Sequence, residues 1–406
     1  MNVLFLSLSF STENHVSSYE ELLVEFRRNG HNVYVICANE KNSTERDGIT
    51  FLNGLKVLRT RIGNITGDIS ILEKGISTLR IDKLFLKDYK KWFYDIKFDL
   101  VIYPTPPITL IKTINTVKKH CNAKTYLLLK DIFPQNAVDL GLISTKGPKR
   151  LIYKYFRRKE KKLYEISDYI GCMSPENCKY VIYNNKEVNP QKVEVCPNCI
   201  RIDEEIIDRK EQDDSIRNKY DIPKDAVIFI YGGNLGRPQG ITFLIECLKK
   251  EKNNRGVYFI IVGDGSEKKK ILDYIKEENP ENLLLLNYLP KDEYQKITQQ
   301  SDVGMIFLDY RFTIPNFPSR LLSYLRVALP VIIASDSSTD IGKIAVENKF
   351  GVWCESNNTE KFSICVERLV KENRKEMGLN GWVYLNKNYT VQKAYAIITS
   401  HLDLVK

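Results

Sequence analysis

The sequence lacks any apolar run that could cross a membrane as a helix. No stretch among its 406 residues approaches the roughly 18 to 20 uninterrupted apolar residues that a bilayer requires. The segment after Met1 also has neither the basic start nor the small-residue cleavage site of a secretion signal. We therefore expect a cytoplasmic chain, and its length together with 43% hydrophobic residues predicts two domains with separate cores.

The sequence also lacks a recognisable metal-binding motif. It has no Asp-x-Asp pair and no finger-like arrangement of Cys and His pairs, so we expect neither a metal nor another cofactor. Nine cysteines, an odd number, without a secretion signal indicate reduced thiols. Only Cys196 and Cys199 have metal or redox spacing, and we interpret them as incidental because no second pair accompanies them.

The net charge of +10 indicates an anionic partner, either nucleic acid, anionic lipid or a phosphorylated substrate. Nine cations lie within residues 146–162, where a helix would also carry an apolar stripe. This pattern is typical of an amphipathic helix on an anionic membrane surface. The alternative is a helix that covers the sheet and leaves its charges solvated. Nucleic acid is disfavoured because the cations follow one helix. The expected membrane contacts are Lys149, Arg150, Lys154, Arg157 and Arg158.

Short apolar runs alternate with amphipathic stretches along the chain, which is the βαβ order of a parallel sheet covered by helices. We predict an α/β fold with two doubly wound Rossmann-like domains that face a cleft, where ligands bind at the carboxyl ends of the strands. The predicted strands are 2–8, 33–37, 100–103, 125–129, 169–173, 193–195, 226–231, 258–262, 283–287, 303–307, 331–334 and 351–353.

A charged, irregular segment after residue 200 separates the two alternations and indicates a domain boundary. The first predicted domain is therefore 1–200 and the second is 201–388. The last helical pattern, 389–406, has nowhere to pack in a completed second domain. We expect it to cross back to the first domain.

Three junctions in the second half place glycine or arginine where a strand meets a helix. Gly236 and Arg237 follow one strand, glycines at 263 and 265 follow the next, and Arg320 follows a Pro-Asn-Phe-Pro loop. Glycine lets a ligand approach the backbone, a helix start offers free N–H groups, and a guanidinium suits a diphosphate. One such junction is equally well explained as a tight turn, but three at one sheet edge predict a phosphate site.

The order and spacing of these junctions closely resemble the retaining nucleotide-sugar glycosyltransferases of family 4. Typical phrases of that family are Gly-Asn-x-Gly-Arg-x-Gln-Gly, Gly-x-Gly and Phe-Pro-Ser-Lys/Arg-Leu-Leu. In the first half, residues 29–33 match its Gly-His-x-Val. Residues 130–135 resemble the Arg/Lys-Asp-x-Trp-Pro-Glu of the subgroup that transfers N-acetylated sugars in O-antigen and capsule assembly. The resemblance covers nearly the whole chain and implies the GT-B fold.

The resemblance implies retaining transfer of a sugar, N-acetylated in that subgroup, from a UDP-sugar to a polyprenyl-diphosphate-linked acceptor. It also implies an enzyme that is peripheral on the inner face of the cell membrane, with the acceptor bound by the first domain and the donor by the second. Arg237 and Arg320 would neutralise the donor diphosphate without a metal. The expected donor-binding residues are Gly236, Arg237, Gln239, Gly263, Gly265, Leu289, Asn316, Phe317, Pro318, Ser319, Arg320 and Ser323.

The sequence departs from this family at two acidic positions. A glutamate that normally holds the ribose is Ser323 here, and a second acid is Pro315. The hydroxyl of Ser323 can make only one hydrogen bond, with a shorter reach than a glutamate has. Alternatively, Ser323 is a small residue that the packing of the helix tolerates. Gln239 stands where the family often has lysine, although glutamine is usual in the N-acetyl-sugar subgroup.

Asp131 and His15 are the candidates for acceptor activation, so the predicted catalytic set is these two residues with Arg237 and Arg320. Asp131 follows a buried strand and precedes Ile132-Phe133-Pro134, which places it at the sheet edge or makes it the N-cap of a short turn. His15 lies in the first loop, where the family has a glycine-rich turn, and a lone loop histidine is also explained by solvation. We favour Asp131.

Two other functions fit the same sequence. A UDP-sugar 2-epimerase on this scaffold would need more acidic and histidine residues at the cleft, and the chain has only four histidines. A catalytically silent partner that binds a nucleotide sugar for another transferase would explain Ser323 and the glycine-free first loop.

Overall fold

The computed structural model describes residues 1–12, 17–66, 71–202 and 215–402. The chain divides into two compact units. Unit 1 comprises Met1–Arg201 and Thr390–Lys406, and unit 2 comprises Ile202–Tyr389. Within the described ranges, no helix combines the length and the apolar character needed to span a bilayer.

Unit 1 is built on one mixed sheet. Its strands are β1 (Asn2–Ser7), β2 (Asn32–Glu40), β3 (Gly48–Leu52), β4 (Leu55–Ile62), β5 (Leu100–Pro104), β6 (Lys124–Leu129), β7 (Tyr169–Cys172) and β8 (Val193–Val195). The strand order is β3-β4-β2-β1-β5-β6-β7-β8, and only the β3–β4 pair is antiparallel. All five residues of β5 are buried, because helices cover both faces of a parallel sheet.

The helices of unit 1 connect these strands. They are α1 (Ser18–Arg28), α2 (Ile71–Trp92), α3 (Ile111–Cys121), α4 (Gln135–Asp139), α5 (Arg150–Ile166) and α6 (Pro175–Asn184). In α1, the side chain of Ser17 caps the helix by accepting from the backbone N–H of Tyr19.

The hairpin of β3 and β4 was not predicted from the sequence. β3 lies at the sheet edge and most of its residues are only half-buried, so it lacks the apolar run used to find the other strands. Asn53 and Gly54 form the turn, with φ of 50° and 78°. An Asn-Gly pair is a strong hairpin marker, because both residues accept positive φ at low cost.

Unit 2 is built on a fully parallel sheet. Its strands are β9 (Val227–Asn234), β10 (Val257–Asp264), β11 (Leu283–Leu286), β12 (Val303–Phe307), β13 (Val331–Ser335) and β14 (Gly351–Glu355). The order is β11-β10-β9-β12-β13-β14. Its helices are α7 (Ser215–Lys219), α8 (Ile241–Glu251), α9 (Lys268–Glu278), α10 (Lys291–Gln299), α11 (Arg320–Arg326), α12 (Ile341–Glu347), α13 (Thr359–Lys371) and α14 (Arg374–Asn388).

The strand order of unit 2 reverses between β9 and β12. From β9 the chain proceeds to β10 on one side, whereas β12 proceeds to β13 on the other. Doubly wound sheets bind ligands at the carboxyl ends of the strands at such a switch point. In unit 2 that place is formed by the end of β9 and by the loop that joins β12 to α11.

The last described helix, α15 (Val391–Thr399), belongs to unit 1. The helix starts where Thr390 forms an isolated bridge with Ile200, and the Thr390 hydroxyl accepts from the N–H of Lys393 at 3.1 Å. Further along, the ring of Tyr395 contacts that of Phe26 at 4.9 Å between centroids. These contacts fasten the end of the described chain to α1.

Candidate active site

The glycine junctions of unit 2 meet at the switch point. β9 and β10 run parallel with Gly233 opposite Gly263. A side chain on Gly263 would overlap the carbonyl oxygen of Gly233, and one on Gly265 would lie 2.6 Å from Oδ1 of Asn234. Glycine is therefore required at both positions, because the two loops pack backbone against backbone.

Arg320, the first residue of α11, reaches across to the end of β9. Its guanidinium carbon lies 4.3 Å from the centroid of the Tyr231 ring. A Cβ on Gly233 would lie 3.4 Å from its Nη2. Nη1 is buried and has no hydrogen-bond partner among the described residues. A buried charged donor without a partner is suited to bind an anion, because an anion would satisfy it.

The charge of Arg320 is maintained by its surroundings. Burial alone lowers the pKa of an arginine, but Tyr231 and Tyr324 raise the pKa of Arg320 above its ordinary value. The guanidinium is therefore charged throughout the physiological range.

Tyr324 holds the end of β9 in place from the same helix as Arg320. Its hydroxyl accepts from the N–H of Gly232 at 3.1 Å and lies 3.2 Å from the carbonyl oxygen of Ile230. Its ring occupies the space beside Gly304, where a Cβ would lie 2.5 Å from the ring carbons. The position of the glycine loop thus depends on a buried tyrosine.

Arg237 and Gln239 lie in a short 3₁₀ turn, Arg237–Gln239, after the glycine loop. The Arg237 side chain is 55% exposed, and its Nε is 3.7 Å from Oε1 of Glu267. Gln239 turns back onto the loop, where its Oε1 accepts from the N–H of Gly236 at 3.3 Å. Arg237 is thus accessible to a ligand, whereas Gln239 is engaged in the turn.

The loop before α11 uses part of its polar surface internally. The N–H of Asn316 donates to Oγ1 of Thr339 at 3.0 Å, and its side-chain amide donates to the carbonyl of Ile314 at 3.2 Å. Phe317 is buried, with its ring centroid 5.8 Å from that of Tyr389. Ser319 is exposed and Pro318 is half-buried.

Two other predicted donor residues also have defined surroundings. Ser323 is exposed on α11, and no hydrogen bond of its side chain is found among the described residues. Leu289 is half-buried in the loop before α10, next to the 70% exposed side chain of Tyr288. Neither residue is used by the packing of unit 2 in a way that excludes a ligand.

Asp131 follows β6 in unit 1. Its backbone is held by Thr105, whose Oγ1 accepts from the Asp131 N–H at 3.1 Å and donates to its carbonyl at 3.0 Å. No hydrogen bond to its carboxylate is found in the described part of the chain. Burial raises the pKa of Asp131 to about 6. The pKa of Tyr19 is also raised, by burial and by the charge of Asp131. A carboxylate with this pKa suits proton transfer near neutral pH.

A cavity of about 410 Å³ opens at the carboxyl ends of β1 and β2 in unit 1. Hydroxyl, amide and charged side chains supply most of its polar lining. They include Ser9, Thr12, Asn39, Asn42, Glu45 and Arg59. Such groups can hydrogen-bond to a molecule rich in hydroxyls.

Helix α5 presents apolar side chains to solvent among its cations. Leu151 is 74% exposed and Ile152 is 50% exposed. Lys149, Arg150, Lys154 and Arg158 are exposed around them. Arg157 differs from the other predicted membrane contacts. Its guanidinium donates to Glu160 at 2.6 Å and to Oδ1 of Asn185 at 2.7 Å, which fixes the helix to α6.

Other residues named from the sequence are located as follows. His15 lies outside the described residues. In the described ranges, no group of three His, Cys, Asp or Glu is arranged to hold a metal ion. Cys196 and Cys199 are both buried free thiols. Tyr231 and Tyr324 were not predicted from the sequence as site residues. For Tyr231 the available indication was its position directly before Gly232 and Gly233.

Residues 212–381 match the family model described as Glycosyl transferases group 1. Over 322 residues the chain is 22% identical to "Probable glycosyltransferase WbjE" of Pseudomonas aeruginosa, a match that covers 79% of this chain and 78% of that protein. It is 24% identical over 183 residues to "Putative colanic acid biosynthesis glycosyl transferase WcaI" of Escherichia coli K12, covering 45% of this chain and 42% of that protein.

Two solved structures share the fold. Sucrose-phosphate synthase of Thermosynechococcus elongatus matches with a TM-score of 0.76 and 12% identity, covering 98% of both chains. Anabaena HepE in complex with UDP-glucose matches with a TM-score of 0.67 and 13% identity, covering 99% of both chains. At this identity the likeness shows the fold alone, which is GT-B as predicted.

These relatives are named as glycosyltransferases, so they favour neither the 2-epimerase nor the silent partner. Residues 212–381 are thus similar to the glycosyl transferases group 1 family, and they lie in a two-domain α/β chain of the GT-B fold.

Proposed function

We propose that the protein is a retaining glycosyltransferase that moves a sugar, N-acetylated, from a UDP-sugar to a polyprenyl-diphosphate-linked acceptor in surface polysaccharide assembly, O-antigen or capsule. The observation that carries the donor half is the buried Nη1 of Arg320 at the switch point of unit 2, which has no hydrogen-bond partner among the described residues. Support for a UDP-sugar comes from HepE, which is described in complex with UDP-glucose. Support for polysaccharide assembly comes from WcaI, which is named for colanic acid biosynthesis.

In this proposal, two arginines balance the charge of the leaving diphosphate. Arg320 donates from its buried Nη1 to a phosphate oxygen, and the exposed Arg237 exchanges its long contact with Glu267 for a second phosphate oxygen. Charge-assisted hydrogen bonds to phosphate are among the strongest in proteins. They stabilise the nucleoside diphosphate as the bond between the sugar and the phosphate oxygen breaks, and this role requires no metal.

On the acceptor side, Asp131 takes the proton of the attacking hydroxyl. The new bond joins this oxygen to the anomeric carbon while the proton passes to the Asp131 carboxylate. A pKa of about 6 leaves most of this carboxylate ionised at neutral pH and still basic enough to accept the proton. The cavity in unit 1 offers the hydroxyl and amide groups of its lining to an acceptor sugar. The role of His15 in this step remains a prediction.

Helix α5 provides the contact with an anionic membrane surface. Leu151 and Ile152 insert among the lipid headgroups, and Lys149, Arg150 and Lys154 pair with lipid phosphates. Arg157 is not part of this surface, because its guanidinium holds Glu160 and Asn185. A lipid-linked acceptor makes such a surface useful, since enzyme and acceptor then share one membrane.

A thermal-shift screen followed by a transfer assay tests the proposed function. Purified protein is heated with UDP, ADP and GDP, and with UDP-sugars that do or do not carry an N-acetyl group. UDP and an N-acetylated UDP-sugar are expected to raise the midpoint most, because a ligand that binds only the native state stabilises it. UDP release is then measured with polyprenyl-diphosphate-linked sugars as acceptors.

The outcomes separate the parts of the proposal. If UDP and all its sugars leave the midpoint unchanged, the donor assignment is wrong. If UDP-sugars bind but no lipid-diphosphate acceptor releases UDP, the acceptor assignment is wrong and a silent binding partner is favoured.

A further inference from the structure

We propose that Tyr231 is a positioning residue, whose ring holds the Arg320 guanidinium so that Nη1 meets a phosphate oxygen of the donor. This inference rests on the proposed diphosphate role of Arg320. It does not depend on which nucleoside carries the diphosphate.

Tyr231 fixes the guanidinium from the inner side of the glycine loop. The Tyr231 ring is fully buried, and the guanidinium carbon of Arg320 lies 4.3 Å from its centroid. The Tyr231 hydroxyl donates to the carbonyl oxygen of Asn234 at 2.8 Å. The face of the ring therefore contacts the cation, and the hydroxyl contacts the loop that follows β9.

The contact is strong because little water reaches it. A desolvated cation over an aromatic face is held several times more strongly than an exposed one. The ring face supplies no lone pair for an N–H donor. Among the described residues Nη1 has no hydrogen-bond partner, even though the charge is stabilised. A buried donor in this state carries an unmet hydrogen bond until an anion arrives.

Gly233 leaves room for the guanidinium beside the ring. A Cβ on Gly233 would lie 3.4 Å from Nη2 and 3.6 Å from the guanidinium carbon. The guanidinium is thus held close to both the Tyr231 ring and the backbone of Gly233. Packing of this kind lowers the entropy that the guanidinium loses when a phosphate binds, and a leucine at 231 would remove the flat face of the ring.

Matched variants at Tyr231 test the proposal. Tyr231→Phe keeps the aromatic face and loses only the hydroxyl, whereas Tyr231→Leu loses the face. Dissociation constants are measured by calorimetry for UDP, ADP, inorganic pyrophosphate and UMP. We expect Tyr231→Leu to weaken the binding of UDP and pyrophosphate about tenfold and the binding of UMP by less. The dissociation constants of Tyr231→Phe should stay within about twofold of the wild type. In transfer assays, the Leu variant should raise KM for the donor more than it lowers kcat.

The folding of each variant is checked separately. Thermal midpoints and circular dichroism of both variants are compared with the wild type. If Tyr231→Leu does not fold, Tyr231→Met replaces it, because methionine fills irregular space without offering an aromatic face.

Two results would overturn the positioning role. One is wild-type diphosphate affinity in a folded Leu or Met variant, and the other is an equal loss in the Phe and Leu variants. If the binding of pyrophosphate and ADP depends on Tyr231 but UDP binds no more tightly than ADP, the UDP assignment fails and the positioning role stands. If the wild type binds no diphosphate, both fail.

Discussion

The carbonyl oxygen of Gly233 occupies the space that a side chain on Gly263 would need. The two residues face each other across β9 and β10, and Gly233 in turn lies against the guanidinium of Arg320. A change at Gly263 is therefore transmitted through one backbone contact to the cation that we assign to the donor diphosphate.

Gly263→Ala is expected to weaken diphosphate binding at least tenfold, because the new methyl group displaces Gly233 and with it the contact to Arg320. Gly256→Ala is the matched control in the same unit. A Cβ there meets only Oδ1 of the Asn254 side chain, at 3.3 Å, and no backbone atom within 4 Å. Calorimetry with UDP checks both variants, and equal affinities would contradict the proposed coupling of the two loops.

Asp131→Asn should reduce the transfer rate by about 10²- to 10⁴-fold, because an amide cannot accept the proton of the acceptor hydroxyl. The affinity for UDP should stay unchanged, since Asp131 has no assigned part in donor binding. The rate is followed by UDP release and the affinity by calorimetry. Near-normal turnover of this variant would remove Asp131 from the mechanism.

Transfer should also depend on pH through the same carboxyl group. Burial raises the pKa of Asp131 to about 6, so below this pH the carboxyl is protonated and cannot act as a base. We expect kcat to fall tenfold for each pH unit below about 6 and to level off above it. The residual activity of Asp131→Asn should lack this dependence, and an identical profile in the variant would assign the titration to another group.

Leu151→Ser with Ile152→Ser should weaken flotation with anionic vesicles by tenfold or more, because each change removes an exposed apolar side chain from the membrane surface. Ile364→Ser is the control, since Ile364 is 64% exposed on α13 of unit 2. Binding should also fall with added salt, which screens the contacts of Lys149, Arg150 and Lys154. A wild-type protein that fails to float at moderate salt would exclude the membrane surface.

Tyr395→Ala should lower the free energy of unfolding by about 2 kcal/mol and with it the thermal midpoint. The reason is that Tyr395 packs on Phe26 and its hydroxyl lies 2.9 Å from Nε2 of His31. Burial and the chain amino group lower the pKa of His31, so the fold favours the neutral imidazole. Stability should therefore rise with pH from the lowered pKa up to the unfolded value of about 6.5. Thermal melts of wild type and Tyr395→Ala between pH 5 and 8 test both effects. A Tyr395→Ala midpoint equal to wild type would contradict the first, and a wild-type midpoint that does not rise with pH up to about 6.5 would contradict the second.

The fold was largely predictable because most strands are buried on both faces. Such strands appear as short apolar runs, as in β5 and β13, whose residues are all buried. The exception is the hairpin of β3 and β4. The residues of β3 are half-exposed and give no such run, and the apolar run of β4 is interrupted by Lys56 and by Arg59-Thr60-Arg61 although most of the strand is buried. The Asn53-Gly54 turn, with positive φ at both residues, was the available indication of this hairpin.

The candidate site was predictable only where chemistry is local in sequence. Glycine loops and arginines after strands can be found from spacing alone. The stacking of Arg320 on Tyr231 cannot be found from spacing, because the two residues come from different strand-helix junctions. They meet only when β9 and β12 pair. Arg157 shows the opposite case. Its place among the cations of α5 suggested a membrane contact, but Glu160 and Asn185 engage its guanidinium.

The most direct measurement is the affinity for UDP of the wild type and of Arg320→Met, determined by calorimetry under identical buffer conditions. The account predicts that the wild type binds UDP and that the variant, which keeps an apolar stem but has no guanidinium, binds it about ten- to a hundredfold more weakly. Equal affinities in the two proteins, or a wild type that does not bind UDP at millimolar concentration, would contradict it.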